Sequence, residues 1–195
     1  MKRRILFGIG VVSLLLFQSC ALTNSIKTIN YVPNVKVENK LSGTKSLSLE
    51  ELKDGRGYDN PKIIFYKKNL YNQQMAGAYT VEKPLAEIVR QGLLKGLEDK
   101  GVTLINTQSN FTLKGTIQKV DYEVISGFFS GDIITNIVVK FELVNNETKK
   151  IEWMDIITGK DKVRGAHFDK FISLSIDNLS KQLIENQSFI EALKN

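Results

Sequence analysis

The stretch DIITNIVVKFELVN, residues 132 to 145, decides the fold. Its apolar and polar side chains fall on opposite faces: Ile137, Val139, Phe141 and Leu143 against Asn136, Lys140 and Glu142. Alternation with a period of two is typical of a strand with one buried and one solvated face. The stretch therefore predicts one strand of an antiparallel sheet whose outer face meets water.

The segments on either side of this strand continue the same pattern. Residues 110–125, NFTLKGTIQKVDYEVI, alternate in the same way, and residues 149–160 form a third run. In that run we expect Ile151 and Trp153 to share one face, with Met154 and Ile156 on the other. The polar sequence at residues 145–148 predicts a hairpin turn. Shorter strands are predicted within residues 45–52, 62–71 and 102–107.

Two amphipathic helices are predicted outside the meander. The first begins at Pro84 and ends at Lys100 and Gly101, which is the usual order of an N-terminal proline, a C-terminal cation and a closing glycine. The second begins near Ala166, breaks at Asn186, and is followed by a short turn that Ser188 would cap. The predicted fold class is α+β, a two-layer sandwich in which a mainly antiparallel sheet packs against two long amphipathic helices.

The N-terminus has the pattern of a secretory signal. A basic block at residues 2–4 precedes residues 5–17, which carry no charge. As a helix this run would reach about 20 Å, which is short of the ~30 Å needed to span a bilayer. Ser19 and Cys20 follow, and the stretch resembles a bacterial lipobox, which implies cleavage before Cys20 and acylation of that cysteine. The alternative is a plain signal peptide with a coincidental cysteine.

Composition narrows the function of the remaining chain. Removal of residues 1–19 takes away three of the 27 basic residues and none of the 21 acidic ones, so the formal net charge falls from +6 to +3. This low charge argues against a nucleic-acid partner. Because Cys20 is the only cysteine, the rest of the chain can form neither a disulfide nor a thiolate metal site. We expect a signal peptide at 1–19, a lipidated tether at 20–44 and a single domain at 45–195.

No pattern of catalytic or ligand-binding residues is present in the sequence. The only histidine, His167, has no convergent partner in the sequence, and phosphate-loop, serine-hydrolase and zinc-protease motifs are missing. The acidic residues Glu50, Glu51, Asp54 and Asp59 do not have the spacing of a calcium loop, and we interpret them as a charged, solvated turn. We expect no enzymatic activity, no metal and no cofactor.

One predicted loop contains two adjacent aromatic residues. ISGFFSGD, residues 125–132, places Phe128 and Phe129 between two glycines at a hairpin end. In one interpretation the rings fold back over the open end of the sandwich. In the other they form an exposed tip that contacts a protein partner or the bilayer interface, since exposed apolar clusters often mark contact sites.

The order of these features is similar to that of a known family. The lipobox, Asp54-Gly55-Arg56, the segment from Ile64 to Asn69, the helix ending at Gly101 and the closing helix resemble the YajG-like uncharacterised bacterial lipoproteins, over residues 45–193. The resemblance implies a compact α/β lipoprotein domain of the wider group that includes the TolB amino-terminal domain. It implies no enzymatic activity and supplies no binding residues.

Taken together, these features predict a lipid-anchored protein of the cell envelope. Ala21 and Leu22 follow the cysteine, and the absence of Asp there implies outer-membrane delivery by the sorting rule of enteric lipoproteins. The domain would face the periplasm and act as a protein-binding or scaffolding accessory to an envelope protein whose identity the sequence does not give. The alternative is an auxiliary module that binds a lipid or small apolar ligand between helix and sheet for envelope transport.

Overall fold

The computed structural model describes residues 23–69, 71, 73–126, 131–164 and 168–195. The strands are β1 Ser25–Ile26, β2 Leu47–Leu49, β3 Lys53–Asp54, β4 Ile63–Lys68, β5 Gln74–Thr80, β6 Phe111–Ser126, β7 Gly131–Asn145 and β8 Ile151–Arg164. The helices are α1 Leu85–Lys100, α2 Phe168–Glu185 and α3 Gln187–Lys194. Among these residues, no helix has both the length and the apolar character needed to cross a bilayer.

The strands form two sheets. In the larger sheet the order is β2-β6-β7-β8, with β3 also pairing with β6. The β6–β7 and β7–β8 pairs are antiparallel, whereas β2 and β3 run parallel to β6. In the smaller sheet, of order β1-β5-β4, β1 is parallel and β4 antiparallel to β5.

The predicted two-layer sandwich is therefore wrong, although the α+β class holds. We expected one mainly antiparallel sheet against two long helices, and the described residues instead form two mixed sheets and three helices of 16, 18 and 8 residues. The physical reason is long-range pairing. The edge of each sheet is completed by a short parallel strand from a distant part of the chain, and short strands leave little periodicity in the sequence.

The predicted inner face of the meander is confirmed. The inward side chains of β7, from Ile137 to Leu143, are fully buried. α2 covers this face by lying against β8. At the closest approach, a Cβ on Gly159 would collide with the backbone oxygen of Ser175 and with Leu179, so only glycine allows this contact.

The ends of the helices follow the sequence in one case and depart from it in another. α1 ends at Gly101 as predicted, and this residue adopts φ 88°, a left-handed conformation that favours glycine. The cap of α3 is Asn186 rather than Ser188. The Asn186 side-chain oxygen accepts hydrogen bonds from the Phe189 amide at 3.0 Å and the Ser188 hydroxyl at 2.7 Å.

Two strand predictions also need correction. The ladder between β7 and β8 shifts register between Leu143 and Val144, which places Ile151 opposite the outward residue Val144. Ile151 is consequently exposed while Trp153 is buried, so the two do not share a face. Residues 102–107 form no extended strand, and only Leu104 makes a bridge, to Leu47.

Residues 23–44, which we interpreted as a tether, pack along the body. Ser25 and Ile26 pair with Tyr79 and Thr80 of β5. Farther along, the Tyr31 hydroxyl donates to Asp177 of α2 at 2.7 Å, and Val35 is buried in the core.

Candidate functional site

The residues predicted as sites lie outside the described residues. This applies to Cys20, Phe128 and Phe129; His167, for which no role was predicted, also lies outside the described residues. The strands on either side of the two phenylalanines are described: β6 runs to Ser126 and β7 begins at Gly131, with these two residues paired. Lipidation at Cys20 and a partner contact at Phe128 and Phe129 therefore stay predictions.

The acidic loop predicted to be solvated contains a buried ion pair. Arg56 donates from Nε and Nη2 to the two carboxylate oxygens of Asp54, at 2.8 and 2.6 Å. Its Nη1 donates to the backbone oxygen of Ile64 at 2.7 Å. The Arg56 side chain is 2% exposed and that of Asp54 is 16% exposed. The pair thus joins β3 of the larger sheet to β4 of the smaller one, and it is a structural clamp rather than a ligand site.

The electrostatics of the clamp favour the charged pair. Burial alone would raise the pKa of Asp54, but the hydrogen bonds and the positive charge of Arg56 outweigh it, so the pKa lies below its ordinary value. The carboxylate is therefore ionised at neutral pH and held by its partner. Nothing in this arrangement offers a proton donor for acid–base chemistry.

A second group of side chains, the tyrosine–lysine cluster, lies where the two sheets meet. It comprises Phe65, Lys67, Lys68, Tyr79 and Tyr122. The Phe65 ring lies 4.3 Å from the Tyr122 ring and 5.6 Å from the Tyr79 ring, centroid to centroid. Ammonium groups lie near the tyrosine rings: Lys67 Nζ is 5.4 Å from the centroid of Tyr79, and Lys68 Nζ is 5.3 Å from that of Tyr122. Both distances are within the range of cation–π attraction.

Lys68 ties this cluster to β6. Its Nζ donates to Asp121 at 2.7 Å and to the Tyr122 backbone oxygen at 3.1 Å, and its amide donates to the Tyr122 hydroxyl at 3.1 Å. Partial burial works to raise the pKa of Asp121, but the hydrogen bonds from Lys68 and the Tyr122 amide, together with the positive charges of Lys68 and Lys119, lower it overall. Burial also raises the pKa of Tyr122, so its phenol stays protonated at neutral pH.

The outer face of the larger sheet carries a second candidate surface, the outer apolar row of Ile151, Met154 and Ile156. These side chains are 54%, 55% and 56% exposed. Ile156 lies opposite Lys140 and Met154 lies opposite Glu142 on the neighbouring strand β7. Because three apolar side chains share one face of an edge strand, the row offers a contact surface that a folded partner could cover.

Side-chain oxygens accept hydrogen bonds from three backbone amides of the edge strand β8. The amides of Ile156 and Lys162 donate to the carboxylates of Asp155 and Asp161, at 2.8 and 2.6 Å. The Lys160 amide donates to the side-chain oxygen of Asn178 on α2 at 3.1 Å. Since these amides are already satisfied, addition of a further strand at this edge is disfavoured.

The grooves on the described surface include three that measure about 250, 270 and 310 Å³. One, of about 250 Å³, lies between the N-terminal segment and α1 and is lined by Ile29, Tyr31, Val81 and Ile88. Pockets that enclose drug-sized ligands measure about 300–1,000 Å³. Among the described residues, no three His, Cys, Asp or Glu side chains form a group that could hold a metal ion. The alternative of an apolar ligand between helix and sheet stays a prediction.

The sequence contained a signal for one of these surfaces. The alternation predicts Met154 and Ile156 on the face opposite Trp153, which indicates apolar side chains on both faces of β8. The tyrosine–lysine cluster gave no such signal, since its members are up to 57 positions apart and meet only through the pairing of two sheets.

Comparison with known proteins supports the fold but assigns no family and no function. No protein-family model and no curated protein sequence matches the chain. Among solved structures, a Xanthomonas campestris protein of the DUF330 family aligns with TM-score 0.57 and 11% identity, covering 87% of this chain and 95% of that one. A minor lipoprotein from Acinetobacter baumannii aligns with TM-score 0.45 and 15% identity, over 76% of this chain and 95% of that one. The chain therefore shares its fold with the DUF330 protein.

Proposed function

We propose that this chain is an outer-membrane lipoprotein of the YajG-like type, anchored through lipid at Cys20 and facing the periplasm. We further propose that its domain acts as a protein-binding or scaffolding accessory in the cell envelope. The address rests on the sequence: the basic block, the apolar run, Cys20, and the Ala21 and Leu22 that follow it. A diacylglyceryl group with a further acyl chain holds a protein firmly, at ~0.8 kcal/mol per buried methylene.

The observation that carries the binding role is the outer apolar row. Ile151, Met154 and Ile156 are each more than half exposed on the outer face of the larger sheet. Burial of such side chains against a partner would release about 25 cal/mol per Å² of apolar surface. Because the edge of β8 has amides closed by side chains, we expect the partner to contact the face of the strand rather than extend the sheet.

The lipid anchor is tested by the intact mass of protein extracted from membranes. We expect a chain that begins at Cys20 and carries a diacylglyceryl group and a third acyl chain. A chain that retains residues 1–19, or that begins at residue 20 without added mass, would refute the lipid anchor and the proposed membrane location.

The binding role is tested by capture from detergent-solubilised envelopes with the double variant Met154→Ser/Ile156→Ser. We expect the wild type to recover one defined partner and the variant to lose it, with unchanged thermal unfolding. The matched control is Val32→Ser, because Val32 is 78% exposed but lies in the N-terminal segment. Equal recovery by all three proteins would remove the outer apolar row from the proposal.

The predicted loop contact is tested separately. Phe128→Ser/Phe129→Ser in the same capture assay asks whether the loop, rather than the row, carries the partner. Loss of the partner in this variant alone would move the contact to the loop. Loss in the row variant alone would keep it on the sheet face.

A further inference from the structure

The point at which the chain leaves the body is fixed by contacts. Lys67 Nζ donates to the backbone oxygen of Thr23 at 2.8 Å, and the Asn24 side-chain oxygen accepts from the Ala78 amide at 2.9 Å. Only Ala21 and Leu22 separate Thr23 from Cys20. At about 3.6 Å per extended residue, Cys20 can lie no farther than roughly 11 Å from Thr23. A bilayer that holds lipid on Cys20 is therefore held close to this part of the body.

The direction of β1 shows which part of the body this is. β1 runs parallel to β5 with Ser25 beside Tyr79, so the chain before Ser25 points toward the beginning of β5. The beginning of β5 follows the turn after β4, since Lys68 pairs with Gln74. This turn contains Tyr71, which is 85% exposed.

The long β6–β7 hairpin points to the same side. Arg56 bonds to Ile64 of β4, and its neighbour Asp54 pairs with Ile117 of β6. Lys68 lies farther along β4 and bonds to Tyr122, which lies farther along β6. β4 and β6 therefore run in the same direction. The β6–β7 hairpin and the β4–β5 turn consequently lie at one end of the molecule, which we call the hairpin end.

The hairpin end has the composition of a surface that meets lipid headgroups. Val124 and Ile125 are 57% and 45% exposed there. The Lys67 ammonium lies 5.4 Å from the centroid of the Tyr79 ring, and the Lys68 ammonium lies 5.3 Å from that of Tyr122. Tyrosine and lysine side chains, with an apolar body and a polar tip, are well suited to the membrane–water interface.

Acidic groups at this end are mostly paired. Asp121 is bound by Lys68 at 2.7 Å and lies 3.4 Å from Lys119, and Asp132 is bound by Lys162 at 2.7 Å. Glu123 is exposed, and Arg164, also exposed, lies on β8 at the same end. Basic groups thus match or exceed acidic ones where the chain leads to its anchor, which favours an anionic surface.

We propose that the hairpin end rests on the bilayer to which the protein is anchored. Anionic phospholipid headgroups contact the lysines of the tyrosine–lysine cluster, and Tyr71, Val124 and Ile125 enter the interface. This inference rests on the proposed lipid anchor at Cys20. It adds an orientation: the domain lies against the membrane by one end, and its outer apolar row on β8 remains accessible from the side.

The experiment measures how deep single nitroxide labels lie in reconstituted vesicles. The mature chain contains no cysteine besides Cys20, so Tyr71→Cys and Ile125→Cys can each be labelled alone. The control is Thr148→Cys in the β7–β8 turn, at the opposite end of β7 and about 45 Å away at ~3.3 Å per residue. Full-length lipidated protein is reconstituted in phosphatidylethanolamine vesicles with either phosphatidylglycerol or phosphatidylcholine.

In vesicles with phosphatidylglycerol, we expect labels at 71 and 125 to be shielded from a water-soluble nickel relaxant and exposed to oxygen. The label at 148 stays open to the nickel relaxant. Lys67→Gln should lower, about fivefold, the ratio of nitroxide at position 125 that is shielded from nickel to nitroxide that is accessible to it. This is the effect expected for one basic residue near an anionic surface. Lys150→Gln, an exposed lysine at the opposite end, should leave that ratio unchanged.

Three outcomes would overturn the inference, and they are distinguishable. Protein that floats with vesicles while labels at 71, 125 and 148 are equally open to nickel refutes the orientation and leaves the anchor intact. Equal shielding on vesicles with phosphatidylcholine refutes the role of anionic headgroups. Protein that does not float with vesicles refutes the lipid anchor and the inference with it.

Discussion

The two ends of the larger sheet differ in the hydrogen bonding of their polar groups and in the exposure of their apolar side chains. At the turn between β7 and β8, the Asn145 side-chain oxygen accepts from the amides of Glu147 and Thr148, at 3.0 and 3.1 Å. Nearby, Asn146 donates to the backbone and hydroxyl oxygens of Ser109. At the hairpin end, Val124 and Ile125 are exposed instead.

The two ends therefore differ in whether the groups at their surface are satisfied within the molecule. The β7–β8 turn satisfies its backbone amides with its own side chains. The hairpin end leaves the apolar side chains of Val124 and Ile125 in water, which is costly unless another surface covers them. We therefore expect stability to reside in the covered middle and in the β7–β8 turn. The proposed membrane contact lies at the hairpin end, and the proposed protein contact lies on the outer apolar row of β8.

The largest expected effect compares one apolar truncation in each region. Phe141→Ala removes a fully buried ring from β7 and should lower the free energy of unfolding by about 4 kcal/mol, because a cavity adds to the lost transfer energy. Ile125→Ala removes a side chain that is 45% exposed and should cost less than about 1 kcal/mol. Urea unfolding of both variants measures this. Equal losses would show that the hairpin end is part of the cooperative core.

The second effect compares a buried ion pair with an exposed one. Arg56→Ala leaves the Asp54 carboxylate buried without its partner and should cost about 3 kcal/mol. Lys162→Ala breaks the pair with Asp132 at the hairpin end, where Lys162 is 58% exposed, and should cost under about 1 kcal/mol. Arg56→Lys should fall between the two, since an ammonium cannot make the same forked contacts. The readout is the denaturant midpoint, and equal midpoints would contradict the clamp.

A smaller effect is expected at the turn end itself. Asn145→Ala removes the acceptor of two turn amides and should cost about 1 kcal/mol. Asn145→Asp keeps an acceptor oxygen and should cost less. Thermal unfolding detects the difference. A variant Asn145→Ala as stable as the wild type would show that water satisfies these amides equally well.

The smallest effect is a change in the dependence of stability on pH. Because the pKa of Asp54 is lowered in the folded state, its contribution is present above the ordinary value of 3.8 and is lost as the pH falls through the lowered folded value. The wild type should therefore lose stability between about pH 5 and pH 3 more steeply than Asp54→Asn. Urea unfolding as a function of pH measures the slopes. Parallel slopes would mean that Asp54 does not titrate differently in the two states.

The sequence predicted those features that depend on neighbours along the chain. The alternation in residues 132–145, the helix from Leu85 to Lys100 and its glycine cap follow from local spacing, and the structure has all three. β2 lies within a predicted strand, but the parallel pairings of β1, β2 and β3 could not be predicted, because each strand pairs with a partner 54 to 64 positions away. The register shift that exposes Ile151 is likewise set by the facing strand.

The candidate surfaces show the same limit. Met154 and Ile156 were recognisable because they alternate within one strand. The clamp of Asp54 and Arg56 was misjudged as solvated, since its burial comes from β4 and not from its own loop. The tyrosine–lysine cluster requires the two sheets to be in contact before its members are neighbours.

The closed edge of β8 has a consequence for crowding. Lipid anchors confine proteins to two dimensions, where copies collide often and in similar orientations. Under those conditions an open 14-residue strand would be a template for fibre growth from molecule to molecule. The oxygens of Asp155, Asp161 and Asn178 occupy three of its amides, which would disfavour such growth among copies held at a membrane by the proposed anchor.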